Sequence, residues 1–410
     1  MILRWHARRC CSRAESVRVR PVRTVSGRVR FAALGFGNAH AAVRWAMPHD
    51  NAPQTNPPGS NAPQASAPQA SARLPTPAPI REIRGADPRA LPAAVLDGFE
   101  PVVLRGLVAD WPLVQAGLSG ADAASAYLLR FYRGAPVRAL VGPPDIRGRF
   151  FYNEDLSGFN FRQGQDTLDR VLAALANHRK DAEPPALYVG ATAVDGWLPG
   201  FRAENDVALG DRNGVALVWI GNRTRVAPHQ DVPDNLACVA VGRRRFTVFP
   251  PEQLANLYIG PLDMTPAGQA ISLVDLHAPD LERFPRFAEA WRFAQVAELD
   301  PGDAIFIPSQ WWHHIEALDE FNVLVNYWWR RAPAHLDSPL DALMLAFLSL
   351  RDLPEPQRRA WQETFRHYIF EPGEATADHI PEAARSLLAT MDVRAASGLR
   401  AQLLARLGKR

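Results

Sequence analysis

Two imidazoles and one carboxylate stand where a fold can bring them together. His229-Gln-Asp231 closes a β-rich run, and His313 follows about eighty residues later in Trp311-Trp-His-His314. Such a set holds one face of an iron(II) ion and leaves the opposite positions open for a cosubstrate and dioxygen, so the chemistry it points to is oxidative. A lone His-x-Asp triplet recurs by chance, and more often marks a surface turn or a packed core histidine. The surrounding elements therefore decide what it means.

Side chains on a strand alternate faces, so a strand over residues 224–231 sends His229 and Asp231 to one side and Gln230 to the other. Residues 215–221 form the strand before it. The third ligand must come from a partner strand, and residues 304–308 with 312–318 read as a hairpin around Pro308-Ser-Gln310. Adjacent strand residues point opposite ways, so only one of His313 and His314 reaches the site.

More of the chain reads in the same order: Trp219-Ile-Gly, Asn235-Leu-Ala-Cys, Gly242-Arg-Arg-Arg-Phe-Thr-Val-Phe-Pro-Pro251, Leu257-Tyr, Pro301-Gly-Asp-Ala-Ile-Phe-Ile-Pro308, Trp311-Trp-His-His-Ile-Glu316 and Phe321-Asn-Val-Leu-Val-Asn-Tyr-Trp328. Together with the His-x-Asp triplet, this text resembles the cupin-like branch of the JmjC-type 2-oxoglutarate oxygenases, the group that includes the asparaginyl hydroxylase of the hypoxia-inducible factor. Pro101-Val-Val-Leu-Arg-Gly-Leu-Val-Ala-Asp-Trp-Pro112 is similar to that family's entry strand and following helix, which extends the resemblance over residues 80–330.

The resemblance implies an Fe(II) centre held by His229, Asp231 and His313, with His313 preferred because the family's ligand directly follows the paired tryptophans. His314 then faces away, into packing or a hydrogen bond behind the site. It also implies 2-oxoglutarate and O2 as cosubstrates, with succinate and CO2 released as a C–H bond of a protein side chain or small molecule is hydroxylated. Burying the distal carboxylate of 2-oxoglutarate requires a cation. The family's usual lysine falls on Arg244, which keeps the charge but is a larger, forked group. Its parity with Phe246 and Val248, on the second arm of a hairpin at Gly242, turns it inward and Arg243 and Arg245 outward.

By the same alignment, Asn235 and Asn326 are amides near the cosubstrate, Tyr188 bonds its carboxylate, and Trp328 lines the pocket on Asn326's face. Trp311, Trp312, Tyr327 and Trp329 read as core. Two positions depart from the family: Val226 stands where a threonine is usual, with Thr224 as the alternative hydroxyl, and Gln230 stands where an aromatic residue is common. These departures, with Arg244, favour the alternative of a cupin binding module that holds a metal or small ligand without oxygenase turnover.

The net charge of +3 is unevenly spread. Residues 1–46 carry ten Arg and one acid, Glu15, leaving 36 basic against 42 acidic residues in the rest. A mildly acidic body is unsuited to nucleic acid. No apolar run approaches the ~20 residues that span a bilayer, so no membrane partner is expected. The Arg-rich start has a transit-peptide composition without a secretory apolar region, and Met47 is an alternative start. The Ala/Pro/Gln-rich stretch that follows completes a disordered leader over residues 1–79, with order beginning near Ile80. Cys10 and Cys11 lie in that leader, and Cys238 reads as a buried small hydrophobe, consistent with a reducing, cytoplasmic setting.

Flanking the 80–330 catalytic domain, residues 88–96, 121–133 and 167–176 are helix-like and 101–104 and 137–141 strand-like. Residues 339–350, 356–370 and 381–407 form a helical region at 331–410, which either caps the barrel or pairs with a second copy, the outcome the resemblance favours. The expected fold is mainly β with flanking helices: a double-stranded β-helix, the cupin jelly roll, with a C-terminal helical extension.

Overall fold

The computed structural model describes residues 74–408, and the readings of the leader, of Met47 and of Cys10 and Cys11 lie outside the described residues. Strands β1 (Ala78–Pro79), β2 (Glu82–Arg84), β3 (Val102–Arg105), β4 (Val137–Gly142), β5 (Arg149–Phe150), β6 (Arg162–Asp166) and β7 (Ala186–Ala193) come first. They lead into β8 (Val215–Gly221), β9 (Arg225–His229), β10 (Asp234–Val241), β11 (Arg244–Phe249), β12 (Gln295–Leu299), β13 (Ala304–Ile307), β14 (Trp312–Ala317) and β15 (Asn322–Trp329). Paired backbone already begins at Ala78, ahead of Ile80, where β1 lies parallel to β12.

Two sheets result, ordered β1-β12-β11-β14-β9-β5 and β2-β3-β13-β10-β15-β8-β7-β4-β6. The second half of the chain crosses between them, as in a jelly roll. This corrects two expectations. The turn at Gly242 and the Pro308–Gln310 segment do not close hairpins, because β10 and β13 belong to the larger sheet while β11 and β14 belong to the smaller. Each is a corner. Gly242 takes φ 70°, and a Cβ there would lie 2.3 Å from Asn322 Oδ1 and 2.6 Å from the Phe321 carbonyl oxygen, so glycine is what lets the chain turn.

Inward residues of both sheets form one core, with Val103, Ala237, Val239, Ile305 and Leu324 meeting Phe246, Val248, Ala297 and Leu299. The outer face of the larger sheet is covered too. Leu113, Leu128 and Leu172, from helices Pro112–Ser119, Ala121–Phe131 and Leu168–Asn177, pack with Val218, Cys238 and Val325. Covering both faces buries every residue of β10, which explains the unbroken apolar run over 236–241. Over the smaller sheet, the segment 250–294 lays Leu257, Val274, Phe284 and Phe287 on Phe249 and Trp312.

The helix expected over 88–96 is confined to Ala93–Leu96. That expected over 381–407 starts only at Val393, after two 3₁₀ turns; Ser386 in the second of them sits at φ 51°, outside helical space. Helices Pro339–Ser349 and Glu355–Phe365 bury no residue, so the first does not cap the barrel. Among the described residues no helix is long and apolar enough to cross a membrane.

Candidate metal centre

β9 ends at His229, and Asp231 lies two residues later, beyond the strand and just before a bend at 232–233. Strand alternation therefore does not aim Asp231, contrary to expectation. The corner before β14 does so instead. Gln310 N donates to the Asp231 carbonyl at 3.0 Å, Ser309 Oγ donates to the Val232 carbonyl at 2.6 Å, and Ser309 N donates to Asp234 Oδ1 at 3.0 Å. Gln310 reaches its place at φ 69°. His313 then stands opposite His229 in register, while Ile315 stands opposite Val226. Three residues on β9 thus match two on β14, and this irregularity brings His229 round to face His313.

The three side chains converge. His229, Asp231 and His313 offer ligand atoms within 4.8 Å of one another, His313 Nε2 lies 3.5 Å from Asp231 Oδ2, and the two ring centroids are 4.2 Å apart. Each imidazole places Nδ1 2.9 Å from a backbone carbonyl two residues earlier, of Ala227 for His229 and of Trp311 for His313. A carbonyl only accepts, so Nδ1 carries the proton and the Nε2 lone pair faces the centre, as a metal ligand requires.

Electrostatics agree. Loss of solvation, then the neighbouring His313, brings the pKa of His229 down to about 4, so its ring is neutral at pH 7. Burial pushes Asp231 up, but the adjacent imidazoles of His313 and His229 and the Gln269 amide outweigh it and hold the carboxyl below its ordinary value. Asp231 Oδ1 also accepts from Gln269 Nε2 at 3.0 Å, which orients the carboxylate. Nothing in the sequence had singled out Gln269; it comes from irregular chain with no period to read.

The remaining expected residues line the same interior. Arg244 is 2% exposed, and its Nε and Nη2 have no partner, whereas Arg243 and Arg245 point outward to Asp319 and Glu298. Burial lowers its pKa; Tyr188, within electrostatic reach, acts the other way. Desolvation raises Tyr188 to about 12, so its phenol stays a donor. Tyr188 stacks on Trp219 at 5.9 Å, and Trp219 fits because residue 190 is glycine: a Cβ there would meet the indole at 2.1 Å. Trp219 Nε1 donates to Asn326 Oδ1 at 2.7 Å, and Asn326 Nδ2 donates to Asn235 Oδ1 at 3.0 Å. Trp328, its Nε1 buried without a partner, meets Trp219 edge to face. Val226 is half-buried opposite Ile315, and Thr224 is buried one residue before β9 begins. His314 faces the other side of the sheet, toward Glu316 and His277.

A groove of about 480 Å³ is lined in part by Phe151, Tyr152, Asn153, Glu154 and Arg283. Tyr152 packs with Ala227 and Ile271, and Ile271 is bridged to His229, so the groove shares a wall with the ligand set.

The model of the cupin-like domain family matches residues 88–335. Lysine-specific demethylase 8 of Xenopus tropicalis is 29% identical over 236 residues, which cover 56% of this chain and 48% of that protein. HSPB1-associated protein 1 of Homo sapiens is 33% identical over 162 residues, 38% of this chain and 33% of that one. tRNA wybutosine-synthesizing protein 5 of Danio rerio is 37% identical over 106 residues, 26% and 29% of the two chains. The chain thus spans about half, or less, of the length of these curated relatives.

Proposed function

The chain belongs to the cupin-like domain family and is of the JmjC type, and on that premise we propose that it is an Fe(II)- and 2-oxoglutarate-dependent oxygenase that hydroxylates a C–H bond of a protein side chain or small molecule. One observation carries the reading. The barrel interior that gathers two imidazoles and a carboxylate also buries a guanidinium with no carboxylate of its own. A buried, uncompensated cation is expensive, and an anionic ligand relieves it.

The residues fit both groups. His229, Asp231 and His313 would hold the iron, with their Nε2 lone pairs and an ionised carboxylate directed at one point. Arg244 would take the distal carboxylate of 2-oxoglutarate, with the Tyr188 phenol beside it. Its register partner on β14, Ala317, is four residues from His313, about 13 Å along a strand. A five-carbon dicarboxylate and an arginine side chain fill that span together.

When bound, iron(II) supplies the redox chemistry by which O2 oxidises 2-oxoglutarate to succinate and CO2 and adds its other oxygen atom to the substrate. The protein's part is position and charge. Gln269 orients Asp231, the Trp219–Asn326–Asn235 chain keeps the wall rigid, and Arg244 neutralises the cosubstrate. The groove beside Tyr152 receives the substrate, and its Glu154 and Arg283 suit a polar or charged one.

The test is succinate formation from 2-oxoglutarate by purified, iron-loaded protein, followed by a screen of peptides and small metabolites for gain of one oxygen atom. Iron-loaded protein that neither binds 2-oxoglutarate nor forms succinate would instead favour a binding module of cupin fold, the reading that Val226 and Gln230 support. We further infer a homodimer made through the C-terminal helices, because Leu340, Leu343, Met344 and Leu348 of helix Pro339–Ser349 are exposed together.

A further inference from the structure

The outer face of β14 carries a second cluster. His314 and Glu316 are two residues apart and share that face, opposite to His313. From the segment laid over the smaller sheet, His277 brings Nε2 into contact with Glu316 Oε2. His314 Nε2 lies 3.5 Å from Glu316 Oε1, and one ligand atom from each of the three residues falls within 4.8 Å of the others. His314 is 4% exposed, and beyond the 3.5 Å approach of its Nε2 to Glu316 neither ring nitrogen has a hydrogen-bond partner. A buried imidazole left so is costly, and a metal takes up its lone pair.

We propose that His277, His314 and Glu316 form a second divalent-metal site, separate from the barrel centre and suited to a zinc-class ion. Two imidazole nitrogens and one carboxylate oxygen are ligands of that class. Ligand atoms ~2.0–2.1 Å from a tetrahedral ion lie roughly 3.4 Å apart, close to the His314–Glu316 spacing of 3.5 Å, whereas His277 hydrogen-bonds Glu316 directly and must draw back from it to admit the ion. The half-exposed His277 side chain leaves one side open for water.

The nearby cations are otherwise engaged. Arg245 lies 3.7 Å from Glu316 Oε1 but holds Glu298 at 2.6 Å, Arg225 holds Asp275 at 3.2 Å, and Arg149 lies 3.6 Å from Asp275. An ion here ties His277 to β14. The segment so pinned also carries Gln269, which donates to Asp231, and Ile271, which is bridged to His229. The outer site thereby positions a supporting residue of the inner one, and it stands whether or not the inner centre is an oxygenase.

The experiment is metal counting on the full chain, stripped with chelator and dialysed against Zn(II) or Co(II). A His229→Ala/Asp231→Ala variant, its inner set dismantled, is expected to keep one equivalent per chain, with the Co(II) absorption of a four-coordinate N/O site. Adding His277→Ala, at a half-exposed loop position where folding is not at stake, is expected to weaken that binding at least 100-fold with an unchanged circular dichroism spectrum. The proposal is overturned if the first variant binds no metal, or if His277→Ala leaves its affinity unchanged, since His277 and Glu316 are then only an ion pair.

Discussion

His313 and His314 are neighbours on β14 and serve opposite sides of one sheet. His313 Nε2 lies 3.5 Å from Asp231 Oδ2 inside the barrel, and His314 Nε2 lies 3.5 Å from Glu316 Oε1 on its outer face. The two-residue alternation of a strand forces this division. Two clusters thus share a strand without sharing a ligand.

Inside the barrel, Asp231→Ala or His313→Ala is expected to weaken iron(II) binding by more than ~100-fold, beyond the loss typical of groups that merely support a ligand. His314→Ala leaves the inner equivalent in place. Isothermal titration with iron(II) under anaerobic conditions reads both effects, and the reverse pattern would mean that His314 is the barrel ligand.

Gln269→Ala tests the support of Asp231. The loss of its 3.0 Å hydrogen bond is expected to weaken iron binding by ~10–100-fold without unfolding the chain. An unchanged affinity would leave the carboxylate oriented by the corner at Ser309 and Gln310 alone.

Local signals explain what was legible beforehand. Parity along β11 turned Arg244, Phe246 and Val248 inward, and the structure buries all three. The Trp-Trp-His-His text brought His313 to the strand facing His229. Non-local features were hidden. Two strands joined by a short turn look like a hairpin in sequence, but in this fold Gly242 and Gln310 turn corners between sheets, which only the pairing partners reveal. The strand was read two residues too far because the bend after His229 is held by hydrogen bonds from residues 309 and 310. Gln269 and His277 come from a segment without period, so their arrival at Asp231 and Glu316 had no signal.

Tyr188 gives a pH-dependent test. Its pKa of about 12 in the fold lies above the ~10 of an unfolded tyrosine, so the folded state retains the proton longer. Stability from this group is complete below pH ~10 and is lost as pH rises toward 12. Urea melts at pH 9 and pH 11 are expected to show a smaller alkaline loss for Tyr188→Phe than for the unmodified chain. An equal loss in both would mean that Tyr188 ionises as in water.

The C-terminal helices offer a test of assembly. Leu343→Glu with Leu348→Glu puts charge on an exposed apolar face, so a dimer made there is expected to dissociate while the fold persists. Light scattering after size exclusion gives the mass. A wild-type monomer, or a variant that stays dimeric, removes the helices from the interface.

Arg244→Met separates function from stability most sharply. The variant deletes a buried guanidinium that has no carboxylate partner, so the cosubstrate-free protein is expected to become more stable, by about 1 kcal/mol or more. Iron binding is unchanged, because no ligand is touched. Affinity for 2-oxoglutarate falls by ~2–5 kcal/mol, at least 30-fold, as a buried charge-assisted contact is lost. In thermal melts with iron present, 2-oxoglutarate raises the Tm of the unmodified chain and leaves that of Arg244→Met where it was. Arg244→Lys restores part of the shift, because it returns the charge without the fork. If Arg244→Met binds 2-oxoglutarate as tightly as the unmodified chain does, the carboxylate finds its cation elsewhere, and Arg244 is only a buried charge that the fold tolerates.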